Sequence, residues 1–405
     1  MDFLNTKNKS GEERTKVEQV YPAIVYNDEF MKRLDHDIIN KTDSTWTLFD
    51  PYDTPDLVEL FGEEFSKRYK EYEEEFKKNP SRFNPNTNVI TIKQLLKEHI
   101  IKYTESGMPF ITHKCNANKA NPNKHLGPIL SGNLCQEVLL PNDSKYTAVC
   151  NLGALNLAKV GKDMNLLKRT VKLGIRAMDN SIDLTTYPSE ESKRFQDERR
   201  TTGLGSVGEA ELIAKNKILY GSEEHKNFID NLWKIISDTA HEASRELAIE
   251  KGECIARPGY RNSYLMAIAP NSTSAVFAGT TNGLEPVFAK YWVEESNGKT
   301  FVITAPGINE ENKQYYINAF EVDPFDYLDM ASIRQKYIDM GMSTNLFIHP
   351  DKASLSYIRD LILYSWKRGL KTLYYLRSQP PTNTDLNDKP LTKRNTEIKC
   401  VGCEN

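Results

Sequence analysis

Cysteine is scarce in this sequence, with six in 405 residues. That density is too low for a disulfide framework and points to a reducing compartment, where the thiols that matter serve catalysis, redox exchange or metal binding. Long apolar runs are missing too. Nothing approaches the roughly 20 residues needed to cross a bilayer, and the opening MDFLNTKNKSGEERTK lacks the apolar centre of a signal peptide. No membrane role is expected, and the cytoplasm is the expected location. Positive charge is not in excess either: 53 Lys and Arg stand against 56 Asp and Glu, for a net charge of -3. Without a long basic run the electrostatic footprint of a nucleic-acid binder is absent. The histidines at positions 36, 99, 113, 125, 225, 241 and 349 show no metal-ligand spacing such as HExxH. Internal repeats and low-complexity blocks are also lacking.

What is present is enough chain to bury about three quarters of its unfolded surface. Residues 20–377 read as one unit between a polar arm, 1–19, and a polar tail, 378–405. Apolar residues Ile229, Leu232, Trp233, Ile236, Ala240, Ala243 and Leu247 recur on one face behind Ser222, which predicts a core-facing helix over 222–251. Weaker helical patterns cover 56–78, 92–105, 163–184 and 353–369. The short runs EVLL (137–140), TFVIT (300–304) and KTLYYL (371–376) read as strands. The fold class is therefore mixed α and β. Beyond residue 377, SQPPTNTDLNDKPLTKRNTEIK has adjacent prolines and few apolar anchors, the composition of a flexible tail.

Five segments carry chemistry. In SGNLCQEVLLP, Asn133, Cys135 and Glu137 are spaced i, i+2, i+4, so an extended backbone would point all three the same way, about 6 to 7 Å apart per step. An amide can orient a substrate hydroxyl, a thiol can react, and a carboxylate can move a proton. A strand edge with a buried cysteine accounts equally for the pattern. In AVCNLGALNL, Cys150 follows Cys135 by fifteen residues, far enough for the chain to turn and bring the thiols into one pocket. A small buried hydrophobe is the plainer reading. In APNSTSAVFAGTTNGLEPVF, Pro270, Asn271, Ser272, Thr273 and Ser274 place hydroxyls and free N–H groups at a helix start, which suits a phosphate or an ordinary cap. In KTLYYLR, Tyr374 and Tyr375 are adjacent on an apolar run, where packing is the usual role. At the end of the tail, Cys400 and Cys403 form a lone CxxC. Two ligands do not make a zinc site, whereas a mobile dithiol suits thiol–disulfide exchange, and 25 residues of flexible chain reach roughly 25 to 30 Å. GLGSVG (203–208) matches G-x-G-x-x-G, but the charged SKRFQDERRTT before it is no buried strand, so NAD binding is not expected. Cys115 and Cys254 carry no assignment.

In that order, NLCQE, CNLGALNL, the polar loop with TTNGLEP, KTLYY and a terminal CxxC resemble class I ribonucleotide reductase large subunits. The resemblance runs from about Asn8 through WTLFDPYD (46–53) and HKCNANKANPN (113–123) to the last residue. It implies part of a ten-stranded α/β barrel with Cys135 on a central finger loop. By resemblance, Cys135 becomes a thiyl radical that takes the substrate's 3'-hydrogen, Glu137 is the base at the 3'-hydroxyl, and Asn133 holds the 2'- or 3'-hydroxyl and helps its departure as water. Cys150 is one of two reducing thiols, 270–274 hold a diphosphate, Tyr375 and then Tyr374 relay the radical, and Cys400 with Cys403 restore the active-site thiols. No cofactor is expected on this chain; a metal-containing small subunit supplies the radical, and thioredoxin or glutaredoxin the electrons. The family's long N-terminal portion, with the nucleotide-sensing domain and the second reducing cysteine, is expected on a separate polypeptide, and the large subunits are expected to dimerise. A cobalamin-dependent relative and a catalytically silent, subunit-binding remnant are the alternatives.

Overall fold

The computed structural model describes residues 2–5, 7, 20–296, 299–378 and 392–393. A wall of short ribbons runs through it. At one margin Ala23–Tyr26 lies parallel to Phe110–His113, every residue of which is buried. Thr372–Leu373 runs antiparallel against Ile111 and Thr112. After a break at Tyr374 and Tyr375 the same segment resumes as Leu376–Ser378, parallel to Leu346–Ile348. Parallel bridges from Met342 to Ile268 and from Met266 to Leu204 carry the wall on to Thr202–Val207. That strand is parallel to Asn151–Asn156, the other margin. Five parallel ribbons thus meet two parallel ribbons of opposite sense at one antiparallel seam, beside Tyr374 and Tyr375.

Helices cover this wall, as buried parallel strands require. Glu223–Lys251 begins where Ser222 Oγ accepts from the His225 N–H at 3.1 Å, and all seven apolar positions of the expected face are buried. Met164–Leu184 is capped by Asp163, which accepts from the N–H groups of Asn165 and Leu166, and packs between that helix and Asn151–Asn156. Ile92–Ser106 and Leu355–Lys367 start on the hydroxyls of Thr91 and Ser354. Gly62–Lys78 is shorter than the expected 56–78, because Pro55–Val58 forms a separate tight turn before it. Beneath the helices, Leu34, Ile92, Val171, Ile175, Trp233 and Ile236 are fully buried. Each such side chain contributes about 1.5 to 3 kcal/mol by leaving water. The core also holds a buried ion pair between Glu209 and Arg334, and Trp233 Nε1 donates to the same carboxylate at 3.0 Å.

Two strand expectations change. Residues 137–140 are not a strand: Leu139 and Leu140 are buried in an apolar cluster with Tyr264 and Ala267, and the Glu137 carbonyl is claimed by the Gly341 N–H at 2.7 Å. Packing needs the apolar side chains, but no neighbouring ribbon offers a ladder. In 371–376 the strand is broken at the two tyrosines, whose N–H groups donate to Thr344 O and Asn345 Oδ1. The run 300–304 lies within the strand Lys299–Thr304. GLGSVG lacks a phosphate loop for a reason the sequence did not reveal, since most of it is the buried strand Thr202–Val207 itself. A Cβ on Gly205 would stand 2.6 Å from the Ala267 carbonyl, so glycine there lets the next ribbon approach. No helix among the described residues is long and apolar enough to cross a membrane.

Candidate active site

Asn133 to Val138 fold into a turn rather than the extended run expected of Asn133, Cys135 and Glu137. The Asn133 N–H donates to Val138 O at 3.2 Å, and the Gln136 N–H donates to Asn133 O at 3.0 Å. Gln136 takes the left-handed conformation, with φ of 67°. Its side chain clamps the turn: Nε2 donates to Asn133 O at 2.9 Å, and Oε1 accepts from Thr112 Oγ1 at 2.7 Å. Asn133 and Glu137 still share a side, because the turn folds one back on the other. Asn133 Nδ2 donates to Glu137 Oε1 at 2.9 Å, and Asn133 Oδ1 accepts from the Val138 N–H at 3.0 Å. Cys135 sits at the tip, buried.

Residues 341–343 close the turn from behind. Ser343 Oγ donates to the Cys135 carbonyl at 2.6 Å and lies 3.3 Å from Glu137 Oε2. A Cβ on Gly341 would stand 2.5 Å from the Gln136 carbonyl, so only glycine fits there. Burial raises the Glu137 carboxyl above its ordinary value, opposed by the hydrogen bonds it receives, including those from Asn133 and Ser343. The result is a carboxyl better suited to accept a proton.

From the other side Tyr374 reaches the thiol, its hydroxyl 3.4 Å from Cys135 Sγ. The Tyr374 and Tyr375 rings are 4.4 Å apart between centroids, and Phe110 packs against both, at 4.6 and 4.9 Å. Tyr103 Oη donates to the Tyr374 carbonyl at 2.6 Å. Tyr374 is buried and Tyr375 half-buried, with the Arg377 guanidinium 5.3 Å from the Tyr375 centroid. A continuous file of aromatic groups therefore leads from a partly exposed position to the thiol.

The remaining expected residues are more dispersed. Cys150 is half-buried just before Asn151–Asn156 and packs with the apolar cluster that holds Leu139, whereas Cys135 packs with Phe110 and Tyr374. Burial pushes the Cys150 thiol well up, and the Glu137 charge adds to that. Pro270 and Asn271 lead into the short helix Ser272–Ala278, with Asn271 left-handed at φ of 52°. Ser272, Thr273 and Ser274 are exposed, and the buried Asn271 Nδ2 has no hydrogen-bond partner among the described residues. A crevice lined by Pro270, Gly283, Glu285, Arg334, Met342 and Ser343 runs from the start of this loop to Ser343, which closes the Cys135 turn. Cys400 and Cys403 lie outside the described residues.

Sequence reasoning missed Ser343, Gln136 and Thr112, whose contacts span 24 to 208 positions. It also missed Glu285, a buried carboxyl raised by desolvation and bonded to Asn345, whose Oδ1 holds the Tyr375 N–H. The one available signal was polar STN (343–345) directly before a buried apolar strand. Among the described residues no group of three or more His, Cys, Asp and Glu could hold a metal ion.

Comparison with known proteins gives this geometry a family. The family model described as "ribonucleotide reductase, barrel domain" matches residues 1–256 and 253–376. The chain belongs to that family. Its mixed α/β wall is that of a ribonucleotide reductase barrel. The ribonucleoside-diphosphate reductase subunit alpha of Helicobacter pylori (strain ATCC 700392 / 26695) is 33% identical, over 100% of this chain and 61% of the relative. The proteins of the same name from Treponema pallidum (strain Nichols) and Synechocystis sp. are 31% and 29% identical, each over 93% of this chain and over 50% and 54% of the relative. The chain thus spans about half to three fifths of the length of these reductase subunits.

Proposed function

We propose that this chain supplies the catalytic barrel of a class I ribonucleoside-diphosphate reductase, reducing ribonucleotides to deoxyribonucleotides by thiyl-radical chemistry. The observation that carries the reading is the contact of Tyr374 with Cys135, backed by Tyr375 and placed on the turn that carries Asn133 and Glu137. A tyrosyl radical at Tyr374 takes the hydrogen atom of the Cys135 thiol, which leaves a thiyl radical and a closed-shell phenol. The thiyl radical takes the substrate's 3'-hydrogen, Glu137 accepts the 3'-hydroxyl proton, and Asn133 assists departure of the 2'-hydroxyl as water. Cys150 and a second thiol outside the described residues supply two protons and two electrons, one proton leaving with the hydroxyl as water, and end as a disulfide; Glu137 returns its proton to the 3'-oxygen, and Cys135 returns the hydrogen atom to C3' and is a thiyl radical again. Cys400 and Cys403 reduce that disulfide, and thioredoxin or glutaredoxin reduces them in turn. The diphosphate occupies the loop at 270–274, whose exposed hydroxyls and unpartnered Asn271 amide offer it donors.

The radical originates on a metal-containing small subunit and enters through Tyr375. The barrel works in a dimer of large subunits, with the remaining part of the reductase's length joined to it or supplied as a separate N-terminal polypeptide. The test is nucleotide reduction with dithiothreitol in a mixture of this chain, that remaining part and the small subunit, omitting each in turn. Activity in the full mixture that is lost in Cys135→Ala supports the reading. No activity, despite a stable complex and a competent radical, overturns it in favour of a silent scaffold. Normal activity in Tyr375→Phe would favour a cobalamin-type relative that makes its radical locally.

A further inference from the structure

A hydroxyl group carries one proton, and at Ser343 two acceptors compete for it: the Cys135 carbonyl at 2.6 Å and Glu137 Oε2 at 3.3 Å. The backbone around Ser343 is fixed on both sides. Its N–H donates to Ile268 O at 2.9 Å, and Thr344 O accepts from the Tyr374 N–H at 2.8 Å, so the freedom that remains is in the side-chain torsions. Ser343 also lines the crevice that runs to Pro270. Glu137 receives hydrogen bonds from its own backbone N–H, the Asn133 amide and the Ser343 hydroxyl, and its charge acts on the Cys150 thiol; among the described residues no Lys, Arg or His is one of the groups that shift it.

We propose that Ser343 is a positioning residue whose hydroxyl couples the protonation state of Glu137 to the hold on the Cys135 turn. With Glu137 protonated, the carboxyl O–H donates to Ser343 Oγ and Ser343 donates to the Cys135 carbonyl, an unbroken chain of donors. With Glu137 ionised, the carboxylate is the stronger acceptor, so the hydroxyl turns to it and releases the carbonyl. When Glu137 takes up a proton during turnover, Ser343 returns to the carbonyl and tightens the turn that carries the thiol. The part this coupling plays in turnover rests on the reading of Glu137 as the base.

The experiment uses Ser343→Ala and Ser343→Thr, with two readouts. In the full chain, infrared spectroscopy follows the stretch of the protonated Glu137 carboxyl, assigned by its disappearance in Glu137→Gln, as pH is varied. Losing a donor to the charged form should raise the titration midpoint by about one pH unit in Ser343→Ala, with Thr restoring it. In the assembled reductase the acidic limb of kcat should move up by the same amount with KM unchanged. An unshifted midpoint in folded Ser343→Ala, or no restoration by Thr, overturns the proposal. Should Ser343→Ala not fold, Ser343→Cys, whose thiol is a weak donor, gives the same two outcomes. A shifted midpoint in a chain that never reduces nucleotides sinks the reductase reading and leaves the coupling standing.

Discussion

Gln136 and Asn271 both hold left-handed backbone in turns, yet the two turns are finished in opposite ways. Around Gln136, Thr112, Gly341 and Ser343 close the turn from other ribbons, and Asn133 and Glu137 satisfy each other. Around Asn271 the hydroxyls of 272–274 face outward, and a buried amide has no partner. Where radical chemistry is proposed, the reacting groups are placed before any substrate arrives. Where the phosphates are proposed to sit, donors are left for a ligand to satisfy. Preorganisation of the first kind costs stability through buried polar groups, and the second kind gives that cost to the ligand-free state.

The largest expected effects break the closed side. Cys135→Ala and Tyr374→Phe should each lower nucleotide reduction more than about 10³-fold in the assembled enzyme, with unfolding midpoints little changed. Activity retained in either would remove the thiol or the phenol from the reaction. Gly341→Ala comes next. A methyl group pressed against the Gln136 carbonyl should destabilise the chain by about 1 to 3 kcal/mol in denaturant unfolding and depress activity with it. An unchanged stability would mean that the turn is looser than its contacts imply.

Glu137→Gln sharpens the comparison through pH. Because burial raises this carboxyl in the folded state, its protonated form favours folding; that contribution is complete below the unfolded carboxyl's range and is lost as pH rises through the folded value. Replacing the charge should therefore raise the unfolding midpoint at neutral pH while abolishing turnover, and the stability gain should vanish below about pH 4. A loss of stability at neutral pH would show that the hydrogen bonds Glu137 receives outweigh its burial. The smallest effect belongs to the open side. Asn271→Gly keeps the left-handed backbone and removes only the unpartnered amide, so KM for the nucleotide should rise about fivefold, the loss of one hydrogen bond, with stability unaffected. An unaltered KM would detach this amide from the phosphates.

The helices were readable because their signals are local. Ser222 and Asp163 lie within three residues of the N–H groups they cap, and the apolar face of Glu223–Lys251 repeats within one segment. The candidate residues were nameable from short motifs, but their relation was not. Asn133, Cys135 and Glu137 suggested one face of a strand, whereas a turn brings Asn133 and Glu137 together. Cys135 and Tyr374 are 239 positions apart, and nothing in either motif indicates that the phenol meets the thiol.

From its sequence alone the chain specified a mixed α/β reductase barrel, where its long helices begin, and which thiol, carboxylate and tyrosines to examine, because caps, periodicity and motifs act over a few residues. Tertiary structure decided that NLCQE is a turn, that the Tyr374 and Tyr375 pair interrupts a strand, that GLGSVG is a buried strand, and that Ser343 stands between Cys135 and Glu137. Those outcomes depend on which ribbons become neighbours in the wall, and that is set by packing the entire core.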